Sequence, residues 1–162
     1  MINGIFIIDD VLSKQECDDL IYFYNNIGSA YQYQWRNTFP MTIDKKNILL
    51  FEKPQKICNK INEYINHKIE IDWCEIVKWP ENSNQNFHFD VASKDTIFTS
   101  ITYLNSDYAG GNTMILNDIK LIPKIGRTVY FDGNHYMHGV SNVEKNIRYT
   151  LPIWYKGKIN AL

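Results

Sequence analysis

The chain has 162 residues, of which 44% are apolar and 22% are charged. This length suffices for one domain with a hydrophobic core, whereas two domains would each be small, so we predict a single domain spanning residues 1–162. The formal net charge is −1, and the lysines and arginines are scattered along the chain. Such a distribution does not support the basic patch that is typical of nucleic-acid binders, and we expect no nucleic-acid partner.

The N-terminus and the three cysteines indicate the cellular environment. Residues 1–10 contain a short apolar run without a basic lead, and acidic residues follow it at once, so they predict neither a signal peptide nor a membrane span. Cys17, Cys58 and Cys74 lie outside any Cys-x-x-Cys pattern, which argues against a disulfide framework or a zinc site. We therefore expect a cytoplasmic protein with reduced core thiols and no membrane partner.

Two helices are predicted in the N-terminal part of the chain. Residues 5–8 have the apolar character of a short strand, and the segment Ser13 to Glu16 has the capping-box pattern that starts a helix. A second amphipathic helix is predicted from Pro54 to Asn66, because isoleucines recur there at every fourth position. Residues 29–47 contain aromatic residues without a clean period, which indicates a loop or an irregular hairpin.

About eight short strands, separated by turns of Gly, Asn, Asp and Pro, are predicted in the rest of the chain. They cover residues 69–79, 97–104, 113–116, 119–122, 127–131, 138–141 and 147–155, with a further extended segment around residue 88. Pro152 removes a ladder donor, which predicts that the last strand lies at a sheet edge or carries a bulge. The order of elements predicts an all-β core with flanking helices (α+β): a double-stranded β-helix, or jelly roll, with two N-terminal helices packed on one face.

His88 and Asp90 are the first candidates for a metal site. Side chains two residues apart in an extended segment point to the same face, so both could bind one ion. A His-x-Asp pair arises by chance in roughly one of four chains of this composition, so the pair is only a hypothesis by itself. His138 on a later strand could complete a set of two His and one carboxylate, the ligand set of non-haem Fe(II) oxygenases. His135 is the alternative third ligand, and the context of His138 favours the latter.

Arg148 lies ten residues after His138, on the last predicted strand, from which it could reach the same cavity. Burying a guanidinium is costly without an anion, and its fork binds a carboxylate in a bidentate manner, so Arg148 predicts an acidic partner. The alternatives are a salt bridge to an internal Asp or Glu, or simple exposure to solvent.

A set of short motifs follows in one order along residues 69–155. These motifs are Ile101-Thr102-Tyr103-Leu104-Asn105, Gly110-Gly111-Asn112-Thr113, Pro123-Lys124-Ile125-Gly126-Arg127, Val129-Tyr130-Phe131, His138-Gly139-Val140, Arg148-Tyr149-Thr150 and Trp154. Their order and spacing resemble the Fe(II)- and 2-oxoglutarate-dependent dioxygenases of the prolyl 4-hydroxylase-like group. The first strand and helix resemble the N-terminal part of that group as well, so the resemblance covers most of the chain.

The resemblance implies a catalytic Fe(II) held by His88, Asp90 and His138, with sites left for 2-oxoglutarate and O2. The implied reaction hydroxylates a C–H bond of a peptide, prolyl-type, or of a small molecule, and releases succinate and CO2. The same resemblance raises L-ascorbate as an accessory cofactor. The hard chemistry belongs to the metal and the cosubstrate, while the protein positions them and excludes water.

Four residues are implied to bind the cosubstrate. Arg148 would pair with the distal carboxylate of 2-oxoglutarate, Tyr103 matches a tyrosine that helps to bind that carboxylate, and Thr150 could add a hydroxyl donor. Trp79 stands where many relatives have a tyrosine that contacts the cosubstrate. Collagen-type prolyl 4-hydroxylases usually have Lys at the position of Arg148, which weakens a collagen-like assignment.

Two further hypotheses remain open. A jelly-roll module that binds a ligand through its metal, without catalysis, is the alternative function. Tyr31, Trp35 and Arg36 are candidates for a loop that covers the substrate, with a purely structural aromatic cluster as the equal alternative. Neither the primary substrate nor the oligomeric state can be read from the sequence.

Overall fold

The structure is a computed structural model, and it describes residues 4–90, 95–116 and 118–157. Residues 1–3, part of the N-terminal stretch discussed above, lie outside this range. The described residues form two helices, twelve strands and one 3-10 turn. No helix among them is long and apolar enough to cross a membrane.

The elements follow the predicted order, helices first and strands afterwards. The helices are α1 (Lys14–Asn26) and α2 (Ile48–Tyr64), and the 3-10 turn covers Gly28–Tyr31. The strands are β1 (Phe6–Ile8), β2 (Phe39–Thr42), β3 (Ile69–Trp79), β4 (Gln85–His88), β5 (Thr96–Tyr103), β6 (Ala109–Gly110), β7 (Thr113–Ile115), β8 (Ile119–Leu121), β9 (Thr128–Phe131), β10 (His138–Val140), β11 (Val143–Lys145) and β12 (Arg148–Gly157).

Two antiparallel sheets make the core of the jelly roll. The major sheet has the order β1-β9-β5-β12-β3-β2, and the minor sheet has the order β4-β10-β7-β8. Strands β6 and β11 form a separate two-stranded ribbon. The helices pack on the outer face of the major sheet, since residues of α1, α2, β3 and β12 share one hydrophobic core. The predicted fold class is thus confirmed.

Helix α1 is stabilised at its start by the predicted capping box. The Ser13 hydroxyl accepts from the backbone N–H of Glu16, and the Glu16 carboxylate accepts from the backbone N–H of Ser13. These two bonds satisfy donors that the first helical turn leaves without intrahelical partners.

The predicted start of the second helix is wrong. Helix α2 begins at Ile48, where the side chain of Asn47 accepts from the backbone N–H of Leu50, and Pro54 lies inside the helix. Proline lacks the N–H that would donate to the carbonyl four residues earlier, and at this position the helix continues without that bond. The predicted end is close, because α2 ends at Tyr64.

The segment after α1 folds as the irregular hairpin that its aromatic, aperiodic sequence suggested. Gln32 bridges Met41, and Trp35 bridges Thr38, so the chain turns at Arg36 and Asn37. The hairpin continues into β2, which pairs with β3 at the edge of the major sheet. The tip of the hairpin, at Arg36 and Asn37, is exposed.

Strand β12 lies in the middle of the major sheet, so the edge position predicted from Pro152 is wrong. Pro152 pairs with Ile101 of β5, whereas the ladder to β3 runs from Arg148 to Thr150 and resumes at Ile153. The missing N–H therefore affects only one of the two neighbouring strands. The bulge named as the alternative is not in β12 either. Its register shifts between Trp154 and Tyr155 against β3, and between Tyr155 and Lys156 against β5, and in both places the extra residue belongs to the partner strand.

The three cysteines are free and buried, as predicted. Burial raises the pKa of the Cys17 thiol to about 11 and that of the Cys74 thiol to about 12. All three lie in the core between the helices and the major sheet.

Candidate active site

Two histidines face each other where β4 pairs with β10. His88 ends β4 and His138 begins β10, and the two residues are direct partners across the strand pair. Their ring centroids lie 4.4 Å apart. Because the partners belong to strands about fifty residues apart in sequence, only the sheet brings them together.

The hydrogen bonds of both rings determine which nitrogen is available. Nδ1 of His88 lies 2.8 Å from the carbonyl oxygen of Asn86, and Nδ1 of His138 lies 3.0 Å from the carbonyl oxygen of Tyr136. A carbonyl can only accept, so Nδ1 must carry the proton in each ring. Nε2 of each ring is therefore the nitrogen that faces Asp90 and the candidate metal site, and this is the orientation in which proteins present histidine to a metal.

Asp90 brings its carboxylate between the two rings. Oδ1 lies 3.4 Å from Nε2 of His88, and Oδ2 lies 3.4 Å from Nε2 of His138. The hydroxyl of Thr99 donates to Oδ2 at 2.6 Å, and the backbone N–H of Asp90 donates to the carbonyl of Gly133 at 2.9 Å. These contacts fix the carboxylate, and the candidate ligand atoms of the three residues all lie within 4.8 Å of one another.

The three groups perturb one another electrostatically. Burial alone would raise the pKa of Asp90, but hydrogen bonds from His138, His88 and Thr99 outweigh it and hold this pKa well below its usual range. For His88 each effect has the opposite sign. Burial lowers the pKa of His88, but the hydrogen bonds to Asp90 and to the Asn86 carbonyl raise it above the usual value. Asp90 is therefore an anion, which is the state that a divalent cation requires.

The triad lies in the wall of a cavity of about 310 Å³ between the two sheets. Arg148 lines the same cavity and is only 1% exposed. Its Nη2 donates to the hydroxyl of Thr113 at 2.9 Å, whereas Nε and Nη1 are buried and have no hydrogen-bond partner within the described part of the chain. No carboxylate of the described residues forms an ion pair with this guanidinium. The partner predicted for Arg148 is thus neither an internal Asp or Glu nor solvent.

The Trp79 ring packs against the guanidinium and is itself bonded to Thr150. The Trp79 ring centroid lies 4.6 Å from Cζ of Arg148, and the indole N–H donates to the Thr150 hydroxyl at 3.1 Å. Strand register explains the contact, because Arg148 is the direct partner of Trp79 across β12 and β3. Both Trp79 and Thr150 line the cavity, as the prediction of a role in cosubstrate binding requires.

Tyr103 is fully buried behind the cavity rather than among its lining residues. Its hydroxyl donates to Thr113 at 2.9 Å, and Thr113 itself lines the cavity. Thr113 therefore accepts two hydrogen bonds, from Tyr103 and from Arg148. From the sequence, Thr113 could be recognised only as the end of a motif. Its contacts could not be predicted, because Tyr103, Thr113 and Arg148 belong to three different strands.

A second buried hydroxyl near Arg148 was also missed. Tyr108 Oη is buried without a hydrogen-bond partner, and burial raises its pKa to about 12 although the neighbouring Arg148 opposes this shift. Both side chains pack on Gly111, where an added Cβ would meet Arg148 Cδ at 3.0 Å and Tyr108 Cε2 at 3.5 Å. Because Gly111 has no Cβ, the side chains of Tyr108 and Arg148 can both pack against it.

The remaining candidates fall on different sides of the molecule. His135 lines a separate surface groove and takes no part in the triad. Trp35 and Arg36, at the tip of the hairpin, line the cavity, whereas Tyr31 is 72% exposed and does not.

The residues that build this cavity also carry the similarity to known proteins. Residues 74–156, about half of the chain, match the family model of the 2OG-Fe(II) oxygenase superfamily. The chain belongs to this superfamily. The match includes the His88-x-Asp90 pair, His138 and Arg148, and the structure places all four around one cavity. No curated protein sequence matches the chain.

Solved structures of other oxygenases show the same fold across 96% of this chain. The viral collagen prolyl hydroxylase of Paramecium bursaria Chlorella virus-1 is 19% identical, with a TM-score of 0.76 and 97% of that chain covered. A prolyl hydroxylase from Trichoplax adhaerens, in complex with a hypoxia inducible factor peptide, is 18% identical, with a TM-score of 0.78 and 84% covered. A Pseudomonas putida prolyl-4-hydroxylase is 16% identical, with a TM-score of 0.71 and 94% covered.

The observed residues fit Fe(II) and 2-oxoglutarate, the metal and cosubstrate of this family. Two imidazoles and one carboxylate form the ligand set that non-haem Fe(II) oxygenases use. A buried guanidinium with two unpartnered nitrogens fits a carboxylate of the cosubstrate. The chain is therefore a 2-oxoglutarate-dependent dioxygenase by family and by its site.

Proposed function

We propose that this oxygenase hydroxylates an unactivated C–H bond of a peptide, with a prolyl residue as one candidate, or of a small molecule. The reaction takes up O2 and 2-oxoglutarate and yields the hydroxylated substrate, succinate and CO2. The observation that carries the proposal is that Arg148, in the cavity of the His88, Asp90 and His138 triad, has two buried guanidinium nitrogens without a hydrogen-bond partner among the described residues. A module that only bound a metal would not need a buried cation, whose desolvation lowers the stability of the fold.

When bound, Fe(II) would supply the activation of O2 and of the cosubstrate. His88, Asp90 and His138 would hold it through two Nε2 atoms and one carboxylate oxygen. Because the backbone carbonyls of Asn86 and Tyr136 orient the imidazoles, the ligands are in place before the metal arrives.

Arg148 would neutralise the distal carboxylate of 2-oxoglutarate and orient it. Nε and Nη1 are the free donors, and Nη2 is already bonded to Thr113. The contact with Trp79 fixes the plane of the guanidinium, so the fork loses little freedom on binding. Val77, Ile101 and Val140 line the cavity as well and exclude water from the neighbourhood of the metal.

The name of the Trichoplax adhaerens relative supports a peptide as one class of substrate, since that prolyl hydroxylase was solved with a peptide. Arg148, where collagen-type prolyl 4-hydroxylases usually have Lys, weakens a collagen-like assignment. L-Ascorbate is proposed as a reductant that maintains Fe(II) between turnovers.

The proposal is tested with the full chain in two steps. An anaerobic titration of the Mn(II)-loaded protein measures 2-oxoglutarate binding, and carboxyl-labelled 2-oxoglutarate with Fe(II) and O2 then measures CO2 release. We expect binding, slow release without substrate and faster release with it. Arg148→Met should abolish binding, whereas Arg127→Met, at a surface arginine paired with Asp9, should retain it. Absence of 2-oxoglutarate binding to the metal-loaded wild-type protein would refute the proposal and favour a non-catalytic ligand-binding module.

A further inference from the structure

Glu75 is a buried acid in the active-site cavity that neither the metal site nor the cosubstrate site uses. It lies in the middle of β3, is only 4% exposed and lines the cavity. Trp73, Val77 and Trp79 line the cavity from the same strand, which shows that this face of β3 is directed inward. A carboxyl at such a position is costly to bury unless hydrogen-bond donors surround it.

The hydrogen bonds of Glu75 are concentrated on one oxygen. The Tyr33 hydroxyl, from the hairpin, donates to Oε1, and the Thr42 hydroxyl lies 3.4 Å from the same atom. Oε2 accepts no hydrogen bond from the described residues, and Glu75 lines the cavity. One side of the carboxyl is therefore anchored to the protein, and the other side is available to a molecule in the cavity.

Three tryptophans line the same cavity as this carboxyl. Trp73 and Trp154 are direct partners across β3 and β12, and their rings stack with centroids 3.8 Å apart and planes inclined by 9°. Both line the cavity, together with Trp35 from the hairpin. The faces of Trp rings attract cations, and Trp35 already holds the guanidinium of Arg36 at 5.8 Å from its centroid.

The position of Glu75 separates it from the cosubstrate end of the cavity. Glu75 precedes Trp79, the residue below Arg148, by four positions along the strand. This spacing corresponds to roughly 13 Å in an extended strand. A group bound to Glu75 would therefore lie away from Arg148 and towards the aromatic end.

We infer that Glu75, Trp73, Trp154 and Trp35 form a subsite for an organic cation of the primary substrate, an ammonium or a guanidinium group. The carboxyl would accept hydrogen bonds from the cation, and the indole faces would replace its lost hydration. The inference rests on the proposed function, because the occupant is the molecule that is oxidised at the triad. It adds that this molecule is cationic at one end.

The experiment compares cationic compounds with neutral compounds of similar shape. The probes are N-acetyl-arginine amide against N-acetyl-citrulline amide, and N-acetyl-lysine amide against N-acetyl-norleucine amide. Each is titrated calorimetrically, without oxygen, into Mn(II)-loaded protein, both with and without 2-oxoglutarate. The variants are Glu75→Gln, which keeps the shape and removes the charge, and the control Glu70→Gln on the same strand, whose carboxylate forms an exposed pair with Lys156.

We expect at least one cation to bind wild-type protein about ten-fold more tightly than its neutral counterpart. This ratio should fall to about two-fold or less in Glu75→Gln and stay unchanged in Glu70→Gln. Equal binding within both pairs, no binding of either cation, or a ratio that survives in Glu75→Gln would overturn the inference. A failure of the proposed function gives a different result, because it appears as missing 2-oxoglutarate binding in titrations without any of the four probes.

Discussion

The indole ring of Trp79 lies 4.6 Å from the guanidinium carbon of Arg148, its direct partner across β3 and β12. Two further strands contribute to the environment of this cation, with the Thr113 hydroxyl on β7 and the buried Tyr103 ring on β5. Nothing in this environment is anionic among the described residues. The site thus contains a positive charge that the described residues do not neutralise and that a carboxylate ligand would neutralise.

Arg148→Met should stabilise the ligand-free protein while it abolishes cosubstrate binding. Methionine fills a similar volume without the desolvation cost of the unpaired guanidinium, so we expect the free energy of unfolding to rise by about 1 kcal/mol or more. Urea denaturation without metal or 2-oxoglutarate measures this change. A clear loss of stability would show that the contact with the Trp79 and Tyr103 rings outweighs the desolvation cost.

Thr113→Val should destabilise the fold through the two donors that it leaves unpaired. The Tyr103 hydroxyl and Nη2 of Arg148 both donate to the Thr113 hydroxyl. Each buried donor left without an acceptor costs about 1–3 kcal/mol. We expect a loss of about 2–4 kcal/mol in urea denaturation. Thr113→Ser keeps the hydroxyl and serves as the matched control. Similar losses in both variants would assign the effect to the missing methyl group instead.

His138→Ala should weaken Fe(II) binding by at least about a hundred-fold, because it removes one of three protein ligands. His135→Ala is the matched control, since His135 lies three residues away and lines another groove. Anaerobic competition with a chromogenic chelator measures both affinities. A comparable loss in His135→Ala would contradict the assignment of His138.

Glu75 should make stability depend on pH in a defined direction. Burial raises its pKa above the usual 4.5, although hydrogen bonds from Tyr33 and Thr42 oppose this effect. The native state therefore binds a proton more readily than the unfolded state, and the free energy of unfolding falls as pH rises from 4.5 through the native pKa.

Glu75→Gln removes the ionisable carboxyl. The free energy of unfolding of this variant, minus that of wild type, should therefore increase between pH 4 and pH 7. Urea denaturation of both proteins across this range measures the difference, in which the contributions of all other carboxyls cancel to first order. Glu70→Gln serves as the control for an exposed carboxyl on the same strand. A constant difference between Glu75→Gln and wild type would contradict the predicted direction.

The metal ligands could be predicted from the sequence because their signal is local or ordered. His88 and Asp90 are two residues apart, and His138 precedes Arg148 by ten residues within one ordered series of motifs. The start of α2 could not be predicted in this way. Ile48 and Leu49 are about 80% exposed, so the first turn adds nothing to the apolar period, and Pro54 offered a misleading start signal.

The face of β3 that lines the cavity was hidden for a different reason. Ile69, Ile71 and Trp73 alternate as one apolar set, but a register shift opposite Trp154 and Tyr155 places an extra residue in β3. Ile69 and Ile71 therefore face the helices, whereas Trp73 faces the cavity. Since a bulge reverses the alternation beyond it, the inward direction of Glu75 depends on pairing with a strand about eighty residues later.

The buried thiols of the core make this chain suitable for site-directed labelling at a new cysteine. Maleimide reagents react with thiolates at accessible sites, and Cys17, Cys58 and Cys74 are all buried. Asn37, at the exposed tip of the hairpin, could therefore be replaced by cysteine and labelled without first removing the native ones. A spin label or fluorophore at that position would follow the distance between the hairpin and the jelly roll while 2-oxoglutarate and substrate bind.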